Sequence, residues 1–192
     1  MAWHLPKEKV LFLHISKAGG TSVANWLRSN FDARKFGPKH CRIQRALDKK
    51  INFELHFTII RNPYSRVHSW YFYHVGLYKK FGATRLLAKW KEPSEKGFKW
   101  WLENCDKTGT TKRSIWWTQK SFIDVTVPHI TCKLENIDQD FKKIQTYLYC
   151  KKDLPVSNTS EHKFYRNDYD NKTKDIVEKH FSEDFEYFNY DF

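Results

Sequence analysis

One junction occurs twice in this chain and limits what it can fold into. In "KVLFLHISKAGGTSVANWL" (residues 9–27) an apolar run passes through a short loop with two glycines straight into an amphipathic stretch. In "FELHFTIIRNPYSRV" (53–67) a second apolar run passes through Arg61, Asn62 and Pro63 into another. Continuous apolar runs of this length read as strands buried on both faces, since strands with one wet face alternate. Asn62 suits a helix N-cap and Pro63 a first helical position. For the first helix, over 21–31, Thr21 or Ser22 is expected near the N-cap. Strand, loop and helix repeated in this way predict an α/β class with a mainly parallel, P-loop-like sheet flanked by helices. At 192 residues the chain fits one domain, 1–192.

The remaining elements follow from periodicity and breakers. Residues 34–40 read as a basic loop around Gly37 and Pro38, and "CRIQRALDKK" as a short helix. Residues 84–105 read as helical and aromatic, with Trp90, Trp100 and Trp101. "FIDVTVPHITCKLENI" holds strand material broken by Pro128. An amphipathic helix is expected over 138–149, a polar loop over 151–163 and a last helix over 168–182.

Both junctions end at a helix N-terminus, where unpaired N–H groups and the positive end of the dipole favour an anion. The first offers Lys17, Gly19, Gly20, Thr21 and Ser22: glycines for close backbone approach, a lysine for charge, hydroxyls for further donors. It is not the triphosphate loop G-x-x-x-x-G-K-[ST], because Lys17 precedes the glycines. The second offers Arg61 at the strand end, whose planar fork donates two parallel bonds to a phosphate, with Ser65 and Ser69 in the helix. A ligand with two separate phosphates would use both, and a 3′-phosphorylated ADP-like nucleotide has that shape.

Charge adds a partner class. The net charge is +12 and aromatic residues make up 17% of the chain. A globular core is therefore expected, with a surface that favours polyanions such as acidic glycans; nucleic acid is not the expected partner. The four cysteines (41, 105, 132, 150) form no C-x-x-C pair and no Cys/His set with zinc spacing. They read as mostly free, buried thiols, with a Cys132–Cys150 bridge left open. "MAWHLPKEKV" lacks the apolar core of a signal peptide, and no run reaches the ~20 residues of a membrane span. The expectation is a soluble, cytoplasmic chain, bacterial or viral in origin or an excised domain.

"FLHISKAGGTSVANWL" and "FTIIRNPYSRVHSWYFY" resemble the 5′-phosphosulfate loop and the 3′-phosphate motif of sulfotransferases that use PAPS (3′-phosphoadenosine 5′-phosphosulfate). The resemblance is closest to the carbohydrate branch with the heparan and chondroitin enzymes. That branch shows H-I-P-K-T-G-G-T-S, then R-N-P-Y-x-R-x-x-S. Ser16 here stands for the Pro and Ala18 for the Thr. "CKLENIDQDF", "LPVSNTSEHKFY" and "IVEKHFSEDFEYFNY" are similar to later family segments, in the same order.

This resemblance implies a sulfotransferase fold, PAPS as donor, PAP as product and no metal. It implies that Lys17 stabilises the leaving phosphate oxygen, that Lys17, Ala18, Gly19, Gly20, Thr21 and Ser22 hold the 5′ end, and that Arg61 and Ser69 hold the 3′-phosphate. Asn158, Ser160 and Lys163 fall on a segment similar to a cofactor-closing loop. His40, in "PKHCRIQRAL", matches a family histidine and is the expected base, since an imidazole can accept a hydroxyl proton near neutral pH. Glu54 and Glu135 are the carboxylates next in line, and Glu135 is expected to order loops by pairing with a base. Arg85, Lys89, Lys112 and Arg113 are candidates for acidic sugar groups; Trp100, Trp116 and Trp117 are candidates to stack on rings. Two other classes compete. A P-loop kinase or NTPase wants a Lys after the glycines and a strand-end Asp for Mg²⁺, a place Asp124 fills poorly. A non-enzymatic polyanion-binding module would not need two phosphate turns.

Overall fold

A computed structural model of the chain describes residues 2–110, 114–155 and 165–192. Its elements in chain order are β1 (Ala2–Leu5), β2 (Val10–Leu13), α1 (Gly20–Asn30), β3 (Arg34–Phe36), α2 (Gln44–Asp48), β4 (Leu55–Ile60), α3 (Pro63–Phe81), α4 (Lys91–Lys96), α5 (Phe98–Asn104), β5 (His129–Lys133), α6 (Ile137–Tyr147), α7 (Asn171–His180) and α8 (Ser182–Phe188). They fall into two units. The first is Met1–Arg61 with Gln119–Thr159, and the second is Asn62–Thr118 with Ser160–Phe192.

The first unit is a five-stranded sheet in the order β3-β1-β2-β4-β5. Strands β2, β4 and β5 run parallel, so their carboxyl ends share one edge of the sheet. Both β2 and β4 are buried along their whole length, as expected of parallel strands covered on both faces. Helix α1 contributes Val23, Trp26 and Leu27 to the core, and α6 contributes Phe141 and Ile144. The Trp26 indole meets Phe141 edge-on at 5.0 Å and donates its N–H to the Lys152 carbonyl at 2.7 Å.

Two strands correct the sequence reading. The stretch read as a basic loop over 34–40 begins with β3, and the N-terminal "AWHL" is β1, antiparallel to both β2 and β3. Neither carries a signal of its own. β1 is four residues long and stops at Pro6, and β3 exposes Arg34 and Lys35. Charge on an edge strand is what discourages further pairing, and it is also what makes β3 look like a loop.

One buried polar residue of this sheet sets a pH dependence. His56, on β4, is fully buried, and neither ring nitrogen has a hydrogen-bond partner among the described residues. Its ring stacks on His129 of β5 at 5.5 Å and meets Phe53 edge-on. Burial, reinforced by His129 and opposed by Asp124, lowers its pKa from 6.5 to about 4. The unfolded chain therefore takes up a proton below pH 6.5 that the folded chain refuses. This contribution is complete above 6.5 and is lost as pH falls toward 4, by about 3 kcal/mol at full extent. His14, lowered to about 3, acts with the same sign. Replacing His56 with Leu is expected to narrow the gap between melting temperatures measured at about pH 7.5 and about pH 5 by several degrees. An unchanged gap would show that His56 does not carry the effect.

The second unit starts with α3. The Asn62 side chain accepts from the Tyr64 N–H at 3.0 Å and Pro63 takes the first helical position, as the sequence predicts. Its core is aromatic: Tyr64, Trp70, Tyr71, Trp90, Phe98, Trp101, Trp116, Tyr169 and Phe181 cluster together. Arg66 is fully buried, faces Asp184 at 3.9 Å and donates to the Trp117 carbonyl at 3.0 Å. It is a scaffold residue of this unit. The region read as helical over 84–105 holds α4 and α5, parted at Gly97, whose φ is +89°. The last helix, read over 168–182, begins instead at Asn171, where Asp170 and Thr173 form a reciprocal capping box, and the chain starts a further helix, α8, at Ser182. All four cysteines are free, with Cys41, Cys105 and Cys132 buried. No described helix is long and apolar enough to cross a membrane.

Candidate active site

The loop after β2 is shaped by residues that face inward. Ile15, Ser16 and Ala18 are buried, while Lys17 between them adopts φ +62°, a left-handed conformation uncommon for a residue with a Cβ. Gly19, also left-handed at φ +75°, is the N-cap of α1, two residues before Thr21 and three before Ser22, the expected caps. A Cβ on Gly19 would lie 2.6 Å from Leu134 Cδ1, just after β5, and one on Gly20 would collide with the His14 ring. Any residue larger than glycine would therefore push the loop off both neighbours. The helix that follows has no acidic residue in its first turn. Thr21 is exposed and Ser22 buried. Its N-terminus is thus an uncompensated positive end with a lysine before it, the arrangement that holds a phosphate or sulfate.

Arg61 belongs to the same place. It follows β4, the neighbour of β2, and its Nη1 donates to the Lys17 carbonyl at 3.2 Å. Burial first, then the nearby charges of Arg61 and Lys39, lower the Lys17 pKa from 10.5 to about 8. Folded Lys17 loses its proton near pH 8, whereas the unfolded chain holds it to 10.5. Stability therefore rises over that window, and at neutral pH the charged lysine costs the fold roughly 3 kcal/mol. A bound anion offsets that cost.

His40 joins this group. Its Nδ1 lies 2.9 Å from the His14 carbonyl, and the two imidazoles meet edge-on with centroids 5.0 Å apart. A carbonyl only accepts, so Nδ1 carries the hydrogen, and Nε2 is the nitrogen that would take a proton. The His14 ring, held neutral chiefly by burial, packs under Gly20.

The other expected residues divide. Glu54 precedes β4 at the amino end of the parallel strands and pairs with exposed Lys9 at 2.6 Å. With β4 six residues long, about 20 Å of strand separates Glu54 from Arg61, so Glu54 is not part of the Lys17 group. Glu135 is exposed on the turn after β5. In the second unit Ser65 and Ser69 are buried on α3, and Arg85 is exposed. Lys89 donates to the Gly109 carbonyl at 3.0 Å, Trp100 lies under the Lys96 ammonium, and Trp116 belongs to the core. Neither Trp100 nor Trp116 is an open stacking platform; Trp117, 38% exposed, is the accessible one of the three. Lys112, Arg113, Asn158, Ser160 and Lys163 lie outside the described residues.

Two contributors escape the sequence reading. Leu134 limits what can stand at Gly19. Gln119, fully buried, brackets the peptide of Arg61, accepting from its N–H at 2.9 Å and donating to its carbonyl at 2.8 Å. Leu134 sits in the CKLENIDQDF segment and Gln119 in no motif, and only three-dimensional proximity ties either of them to the two junctions.

No curated protein and no solved structure matches the chain at a significant level. A family model does, and it spans both strand-to-helix junctions, the β5 segment and the closing helices in one match over residues 2–191. With that match over nearly its whole length and with an α/β sheet of the expected type beneath it, the chain belongs to the sulfotransferase family.

Proposed function

We propose that this chain moves the sulfuryl group of PAPS to a hydroxyl of an acidic glycan. One observation carries the reading: a lysine half-buried at the N-terminal end of α1, its pKa lowered to about 8, lies beside a second cation from the neighbouring strand. Such a pair is costly unless an anion sits there. Lys17 and the first-turn N–H groups of α1, with Thr21 and Ser22 beside them, hold the 5′ phosphosulfate end. Arg61 takes the 3′-phosphate. As the bond from sulfur to the bridging phosphate oxygen breaks, Lys17 stabilises the charge left on that oxygen. The acceptor oxygen bonds to sulfur as its proton passes to His40 Nε2. The net charge of +12 and the exposed Arg85 and Trp117 support an acidic, ring-bearing acceptor.

Cofactor choice is the direct test. PAP at a hundredfold excess over its dissociation constant is expected to raise the melting temperature by about 5–10 °C, and ADP, without the 3′-phosphate, by less. A shift with ATP and Mg²⁺ but none with PAP would replace this reading with a kinase or NTPase.

A further inference from the structure

The hydrogen-bond ladders around β4 stop short of Arg61. The last partners are Leu13 with Thr58 on one side and Ile60 with Lys133 on the other. Arg61 stands one residue past the strand and still needs a partner for its N–H and its carbonyl, because an unpaired buried group costs free energy. Gln119 supplies both. Its side-chain amide has the same donor and acceptor as a peptide, and it reaches the Arg61 N–H at 2.9 Å and the Arg61 carbonyl at 2.8 Å. It thus stands in for the next rung of the sheet. Gln119 is itself fixed: it is fully buried, and its carbonyl accepts from the Phe122 N–H at 3.0 Å.

The clamp reaches beyond Arg61. With its peptide held on both sides, Arg61 extends Nη1 to the carbonyl of Lys17, the residue at φ +62°. A strained backbone of that kind persists only where its surroundings over-determine it. Gln119, Arg61 and Lys17 therefore form one chain of contacts that ties the loop after β2 to the end of β4, across sequence separations of 58 and 44 residues.

We propose that Gln119 is a positioning residue of the donor site: it sets the direction of Arg61, and through Arg61 the loop that carries Lys17, for a nucleotide bearing phosphates at both ends. The proposal rests on the reading of Arg61 and Lys17 as phosphate ligands.

A double-mutant cycle tests it. Q119M keeps the volume of the side chain and removes both hydrogen bonds. PAP and ADP affinities would be measured by calorimetry for the parent, Q119M, R61A and the double variant, each first checked for cooperative unfolding. Positioning through Arg61 predicts that Q119M weakens PAP about tenfold or more and weakens ADP less. In the R61A background the same change should cost less than about threefold, because residues acting as one unit are not additive. Q119E, which keeps the acceptor for the Arg61 N–H, should recover part of the loss. Equal losses for PAP and ADP, or the same factor with and without Arg61, would make Gln119 a general structural residue and overturn the proposal. A parent that binds PAP beside a Q119M variant of unchanged affinity would overturn this inference alone. A parent that does not bind PAP would overturn the donor reading beneath it.

Discussion

Replacing Lys17 with alanine is expected to slow single-turnover sulfuryl transfer about 10²- to 10³-fold, the usual effect of removing one donor aimed at a developing oxyanion. The affinity for PAP should fall much less. A lysine that contacts the bridging oxygen contributes most when negative charge grows there. The other groups proposed to hold the 5′ end, α1 and its glycine turn, are untouched by the substitution. Its lowered pKa adds a second signature. Because free Lys17 gives up its proton near pH 8, kcat/KM for the donor should fall as pH rises through about 8, the limb that reports the free enzyme. Lys17→Arg should abolish that limb, since a guanidinium stays protonated. Isothermal titration with PAP and rapid-quench transfer assays separate the two effects. An equal loss of PAP affinity, with unchanged chemistry in the bound enzyme, would reassign Lys17 to binding alone.

His40→Ala is expected to keep PAP affinity within about twofold of the parent and to lose about 10²- to 10⁴-fold in the transfer step, the range of general-base assistance. The geometry makes this specific to one nitrogen. Nδ1 is committed to the His14 carbonyl, so Nε2 is the nitrogen that would take a proton. His40→Gln removes the base and keeps a polar side chain, and it should be as inactive as the alanine variant. Labelled PAPS offered with heparosan, chondroitin and small phenols would read this out. Transfer to an acidic glycan should weaken as salt rises, because exposed charges are screened. Full activity of His40→Ala on any good acceptor would remove this residue from the mechanism. Glu54 would not replace it, being at the opposite end of β4 and paired with Lys9.

How much could be read in advance depended on the range of the interactions involved. The two junctions were legible because every part is local. Unbroken apolar runs mark β2 and β4, Asn62 and Pro63 start α3, and the Gly19-Gly20 pair marks a turn that a larger residue would not fit. Lys17 and Arg61 could be picked out as candidate anion ligands for the same reason, each lying just past the end of its own strand. The strands β1 and β3 were not legible: four residues stopped by Pro6, and three of which two are exposed charges, have no pattern until a partner strand supplies the other half of the hydrogen bonds.

The chain alone therefore determined the fold class and the two strand-to-helix turns, through short-range sterics, capping and hydrophobic periodicity. Only the tertiary structure decided which distant groups complete them. It placed Gln119 on the peptide of Arg61, Leu134 against Gly19 and His14 beneath Gly20. It also separated Glu54 from the site and took Trp116 into the core. Those outcomes depend on which side chains meet across the sheet and within each unit, and a pattern of neighbours along the chain does not encode such meetings one residue at a time.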